Sequence, residues 1–397
     1  MKRSNTSPPE SLLIPEALSK LEQYTTHDKN AIRKEYLFRP PLVDVWIHNN
    51  LLRDGRDAPI AWLFINILTI TIPMAITLFY LDLPSSPLPH LLGLAYFIFN
   101  YVLFLQRFIL ALHYSQHRPL FTKLHLNPNH PYSYITTILN SIAPCFLAPF
   151  FGLPCGMYHL HHVSMHHRGN NSTAKGDVSS TEPYQRDSFM QFLCFYWTRY
   201  VFGGLIEVPL YAIRNKAWNL LQSCLVFETI YLTALWYLYS IRPIATLWVF
   251  LLPFTLSSFA LMIGNWSQHI FICPDRNAGA QYYNNAYNCL AWGDNQKTFN
   301  DGYHAIHHLN PKLHWSEFPD KFMQPSVLED MALHETFVFH SIGFVDIGIA
   351  VFLGNYDYLR RHMVVYTKKM AAMSDDEIDE EIERRLKPIG GGGMKFK

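Results

Sequence analysis

Four long runs almost free of charge limit this chain to a membrane fold before any other feature is weighed. A helix needs about 20 mostly apolar residues to cross the hydrocarbon core of a bilayer. Residues 60–81 hold no charge, 88–112 hold only Arg107 near their end, 218–240 hold only Glu228, and 244–264 hold none. Charged residues make up 16% of the 397-residue chain, against about 25% in soluble domains. The expectation is an all-α integral membrane protein with four transmembrane helices in two hairpins.

Two further apolar stretches resist that assignment. Residues 134–153 contain Pro144 and Pro149, and residues 189–213 contain Arg199, Glu207, Pro209 and a Gly203-Gly204 pair. Both are expected to be interfacial or re-entrant helices, because only then do the histidine-rich segments described next share one side of the membrane. Lys and Arg are absent from the short 82–87 loop, and Arg242 is alone in 241–243. Positive loops stay cytoplasmic, so the histidine segments should form a cytoplasmic cap. The chain then divides into a cytoplasmic arm (1–59), a membrane domain (60–320) and a cytoplasmic C-terminal region (321–397). That last region should hold an amphipathic helix on the membrane surface over 336–353. A charged tail helix should follow over 374–387, opened by a Ser374/Glu377 capping box.

The N-terminus lacks the apolar core of a secretory signal, and Glu10, Glu16 and Glu22 argue against an organelle transit peptide. Net charge is +1, which gives no electrostatic basis for nucleic-acid binding. The six cysteines are scattered without a C-x-x-C pair, so neither a disulfide framework nor a zinc knuckle is expected.

Histidine carries the chemistry. His113 and His117 form H-Y-S-Q-H. His159, His161, His162, His166 and His167 crowd into H-L-H-H-V-S-M-H-H. His304, His307 and His308 form H-A-I-H-H, and N-W-S-Q-H sets Asn265 four residues before His269. Helical spacings of three to five put such residues on one face, and neutral imidazole is the commonest transition-metal ligand. Five histidines cannot all face one ion. In the second segment His162, His166 and His167 are favoured, with His159 in reserve and His161 turned away. His269 suits direct ligation, and Asn265 a metal-bound water. His314 lacks a partner at helical spacing.

The boxes H-x-x-x-H, H-x-x-x-H-H and H-x-x-H-H, with spans between them, resemble the membrane fatty acid desaturase family over roughly residues 60–320. The resemblance implies a non-haem di-iron centre that uses O2 to desaturate a lipid acyl chain. Its ligands would be His113, His117, His162, His166, His167, His269, His304, His307 and His308, with Asn265 acting through water. It also implies a separate electron donor fed by NAD(P)H: cytochrome b5 in the endoplasmic reticulum, the expected location, or ferredoxin in a plastid. The first box is one residue shorter than in acyl-CoA enzymes, and the third opens on His rather than the Gln of front-end enzymes. No H-P-G-G haem motif is present, so a fused cytochrome b5 domain is not expected. The rival on the same scaffold is a hydroxylase or a sterol or carotenoid oxygenase. A metal transporter is disfavoured because its ligands would sit near the membrane midplane, and a degenerate sensor would have lost ligands.

Imidazole ligands need a partner at their second nitrogen. Asp177, Glu182, Asp275, Asp294 and Asp301 lie near the boxes, and Asp301 is the first expectation. The sequon-like 170–173 segment is expected to be cytoplasmic and unglycosylated.

Overall fold

A computed structural model describes residues 12–31, 36–83, 86–121, 133–274 and 281–389. The fold is mostly helical with little sheet. Among the described residues, five helices are long and apolar enough to cross a membrane: Gly55–Tyr80, Leu88–His117, Tyr134–Phe151, Trp218–Ile241 and Pro243–Gln268. Four correspond to the expected spans. Tyr134–Phe151 also meets the criteria, although Pro144 and Pro149 break its regularity into a widened turn at Ile142–Leu147 and a tight one at Ala148–Phe151. Phe189–Arg214 is helical as well, but does not qualify as a span.

Two spans run further than their apolar cores suggest, and this positions the site. Leu88–His117 has 30 residues, about 45 Å at 1.5 Å per residue, against a hydrocarbon core of about 30 Å. Its last turns carry His113 and His117. The helix ends where Arg118 turns extended before Pro119, as proline demands of its predecessor. Pro243–Gln268 likewise carries Asn265 up to His269, its C-terminal cap.

The main core packs around these ends and along the helices that lead to them. The expected amphipathic helix over 336–353 is instead a strand, a turn and a short helix. Val338–His340 pairs in parallel with Asn288–Leu290, and Phe344–Phe352 is helical. The two strands make the fold not strictly all-α. Residues Val338 and Phe339 are fully buried, and a fully buried apolar run reads alike as strand or helix. Phe344–Phe352 opens with Asp346 accepting from the Gly343 N–H.

The charged tail is not a solvated appendage. Ser374 and Glu377 form the expected capping box, but Ile382, Arg385 and Leu386 of the same helix are buried. The side chain of Arg186, fully buried, donates to six carbonyls: Thr181, Glu182, Tyr184, Ile270, Arg385 and Lys387. The Ile272 N–H also bonds the Arg385 carbonyl. The C-terminal helix is thus tied to the segments that follow the second histidine box and His269. All six cysteines are free thiols.

Candidate metal centre

The histidine boxes converge into two groups, the first box entering one of them and the second and third boxes both. In the first, ring atoms of His113, His117, His162, His167 and His307 lie within 4.8 Å of one another. Their Nε2 atoms form a chain. His113 to His307 is 2.7 Å, His307 to His167 3.2 Å, His167 to His162 3.1 Å and His162 to His117 3.0 Å. In the second, His166, His269 and His308 lie within the same limit. His304 joins them, its Nε2 3.2 Å from the Nε2 of both His269 and His308.

Local helix geometry explains the division. His113 and His117 are one α-turn apart and share a face. In the second box the helix widens to a π-turn over His162–His166, a device found mostly at functional sites. Its i to i+5 repeat aligns His162 with His167 in the first group and frees His166 for the second. The third box is regular helix, His304–Leu309, so His304 and His308 share one face and His307 turns to the other group. The His167 and His308 rings stack at 4.7 Å and join the two groups.

Tautomers can be read from the outer nitrogens. The Asn285 carbonyl only accepts, so His269 Nδ1, 2.7 Å away, must carry the proton. Asp177 Oδ2 accepts from His166 Nδ1 at 2.9 Å. In a neutral ring so held, Nε2 is the lone-pair atom that faces the group. Tyr158 places its hydroxyl 3.3 Å from His113 Nδ1. The Nδ1 atoms of His304, His307 and His308 are buried without a partner among the described residues.

Burial, and secondarily the neighbouring imidazoles, holds His162, His167, His304, His307 and His308 well below the ordinary histidine range. His269 is lowered to about 3, chiefly by burial. Neutral rings with converging lone pairs repel one another unless a cation lies between them. Two nitrogens about 2.1 Å from one ion, at right angles, are roughly 3.0 Å apart. Five of the six separations, 3.0–3.2 Å, fit that donor set, and the His113–His307 pair is closer at 2.7 Å.

The orienting acid is Asp177, not Asp301. Asp177 is buried and accepts from His166, from the N–H groups of Asn171 and Ser179, and from the Ser179 hydroxyl. Asp301 instead accepts from Gln268 at 2.8 Å. Glu182 accepts from the Thr173 N–H, and Asp294 from Gln106 at 3.5 Å. Asp275 lies outside the described residues. Asp177 had one discriminating signal, its place in a tight turn ten residues after His167, and sequence alone does not rank that above Asp301.

The other candidates fall elsewhere. His159 belongs to neither group. His161 lines the neighbouring cavity. His314 Nε2 lies 2.9 Å from Asp57 Oδ1, in a cluster where Arg118 also binds Asp54 and Asp57. Asn265 donates to the Ser179 carbonyl at 3.0 Å and to the Tyr196 hydroxyl, and lines the cavity beside His166.

That cavity, about 330 Å³, lies between the Leu88–His117 and Pro243–Gln268 helices. His113, His162, His166 and His304 form one wall, and its lining is otherwise mainly apolar, including Leu105, Ile109, Leu110 and Ile263. A second, smaller cavity shares Tyr158, His161 and Leu261 with it.

A family model described as fatty acid desaturase matches residues 85–340. No curated protein and no solved structure matches the chain.

Proposed function

Because the chain belongs to the fatty acid desaturase family, we propose that it introduces a double bond into a lipid acyl chain at two irons, one in each histidine group. The observation that carries this reading is the shared wall: both groups border one largely apolar cavity between two long helices. Such a cavity suits an alkyl chain, and the histidines suit iron. His113, His117, His162, His167 and His307 would hold one ion. His166, His269, His304 and His308 would hold the other, with Asn265 acting through a bound water. When bound, the irons supply the O2 activation that removing two hydrogens from an unactivated chain demands.

The chain's own residues supply position and dryness. Asp177 and the Asn285 carbonyl fix the rings of His166 and His269, and Tyr158 braces His113. The apolar lining holds the alkyl chain against the histidine wall and keeps bulk water away from it.

Proximity of the boxes also supports the proposed topology. His117 and His162 are 3.0 Å apart, so the chain between them begins and ends on one side. Tyr134–Phe151 then enters and leaves without a net crossing. His166 and His269 rings lie 5.3 Å apart, and the two spans between them, Trp218–Ile241 and Pro243–Gln268, return the chain to the same side. Four crossings result. We place the boxes and both termini in the cytoplasm on the positive-inside rule, the protein in the endoplasmic reticulum, and electron supply with a separate cytochrome b5 or ferredoxin.

The test is a lipid profile of cells expressing the chain, beside a His307→Ala/His308→Ala variant. A new alkene made only by the native chain is expected. An oxygen-inserted product instead would assign the hydroxylase reading, and no product from iron-loaded protein would refute both.

A further inference from the structure

The third box lacks the outer partners that hold His166 and His269. Asp177 and the Asn285 carbonyl fix those two rings, whereas the Nδ1 atoms of His304, His307 and His308 are buried with no hydrogen-bond partner among the described residues. Their direction therefore depends on where the short His304–Leu309 helix is set down. The segment leading into it is strained. Ala291, Phe299 and Asn300 have φ of 49°, 56° and 56°, a left-handed conformation that non-glycine residues keep only where their surroundings hold it. The hold comes from outside the segment. Asp28, in the N-terminal helix Pro15–Asn30, is 2% exposed. Its Oδ2 accepts from the Ala291 N–H at 2.9 Å, the Asn295 amide at 3.2 Å and the Tyr303 hydroxyl at 2.8 Å, and its carbonyl accepts from Gln296. Asn295 carries the grip inward, its amide nitrogen donating to the Cys289 carbonyl and its amide oxygen accepting from the Gly302 N–H.

Tyr303 is where this network meets the histidines. It caps the helix directly before His304, its carbonyl accepts the His307 N–H at 2.9 Å, and its side chain is fully buried. Its hydroxyl is thus fixed by Asp28, while its backbone starts the helix that carries His304, His307 and His308. Resting on the metal centre of the proposed function, we infer that Asp28 is a positioning residue for the third box, acting through Tyr303 and Asn295, and that the N-terminal arm is a working part of that centre. Asp28 lies outside residues 85–340, the part of the chain that the family model matches.

The test is a chelator titration of the iron-loaded protein read by mass spectrometry, with thermal unfolding as the check on folding. Asp28→Ala takes the acceptor from all three donors. The second group draws His304 and His308 from this box, and the first group only His307. Release from the second group, the step that Asp177→Asn also moves, should shift to about tenfold lower chelator, the lower end of the effect of losing an outer partner. The first group should shift less. Asp28→Asn should restore the native titration, because an amide oxygen at the Oδ2 position accepts from the same donors. Its amide nitrogen would then stand at the Oδ1 position, 3.6 Å from His27 Nδ1. Lys29→Ala removes the ion pair of the same helix with Asp320 without touching Tyr303, and should titrate as the native protein does. If Asp28→Ala does not fold, Tyr303→Phe decides, since it deletes one donor and should move the same step in the same direction. An unchanged titration in Asp28→Ala or Tyr303→Phe, an equal shift of both groups, or a loss in Asp28→Asn or Lys29→Ala as large as in Asp28→Ala overturns the inference. Native protein that holds two irons alongside variants that match it leaves the desaturase reading standing, whereas native protein that holds no iron refutes that reading itself.

Discussion

Asp177→Asn should weaken one metal site about 10–100-fold and leave the other unchanged. Asp177 uses both oxygens: Oδ2 accepts from His166 Nδ1 and the Asn171 N–H, and Oδ1 from the Ser179 N–H and hydroxyl. An asparagine keeps the shape but turns one oxygen into a donor. Whichever way the amide points, two of the four donors face an N–H. Hydrogen bonds to a charged group contribute about 1.5–3 kcal/mol each. When the amide faces His166, its imidazole loses the partner that fixes its tautomer. Loss of such an outer partner weakens metal binding about 10–100-fold. None of the five histidines in the first group touches Asp177 among the described hydrogen bonds. Iron per protein, measured by mass spectrometry during a chelator titration, should therefore fall in two steps, with the first shifted to about 10–100-fold lower chelator. Glu182→Gln, which alters a carboxylate bonded to the Thr173 N–H, should leave the histidine contacts intact and show the native titration. Parallel loss of both irons in Asp177→Asn, or an unchanged titration, would refute the assignment of His166 to a separate site.

Three further outcomes follow from the same geometry. At Gly264, which lines the cavity, an added Cβ meets nothing within 4 Å. Gly264→Leu should therefore abolish lipid turnover at native iron content, as paired metal and product assays would show. Metal retention should depend on pH in a defined direction. Unfolded histidine titrates near 6.5, whereas folded His269 is held at about 3. The native state thus binds fewer protons, so stability and iron content are full above about pH 6.5 and fall as pH drops toward 3; loss of iron on raising pH from 7 to 8 would contradict this. Arg186→Ala leaves six carbonyls without their guanidinium partner. It should cost on the order of 4 kcal/mol, seen as a lower detergent-solubilised unfolding temperature and as proteolytic release of the C-terminal helix.

The boxes were legible because metal chemistry needs particular residue types at short helical spacings, and both survive in a linear string. Their division between two groups was not. It depends on the π-turn at His162–His166, a change of helical pitch that leaves no mark in residue order. Asp177 was one of several nearby acids, and what sets it apart is a turn that brings it back 2.9 Å from His166. Uncharged apolar runs located the four expected spans, yet gave no measure of how far two of the helices continue beyond those runs. The buried strand at Val338–His340 and the docked tail helix were hidden for a different reason. A short apolar run does not declare its period, and a charged helix with one buried edge reads as solvated until the buried Arg186 is seen gripping its last carbonyls. The 170–173 segment adds a related lesson. Asn170 and Asn171 are both buried, so an absent glycan there would follow from burial alone and does not report which side of the membrane it faces.

The most direct test of the account is an iron-edge anomalous difference map from crystals of the iron-loaded protein. Two peaks are predicted, one enclosed by His113, His117, His162, His167 and His307, the other by His166, His269, His304 and His308. A single peak, or iron bound away from these rings, would contradict the di-iron centre on which the proposed function rests.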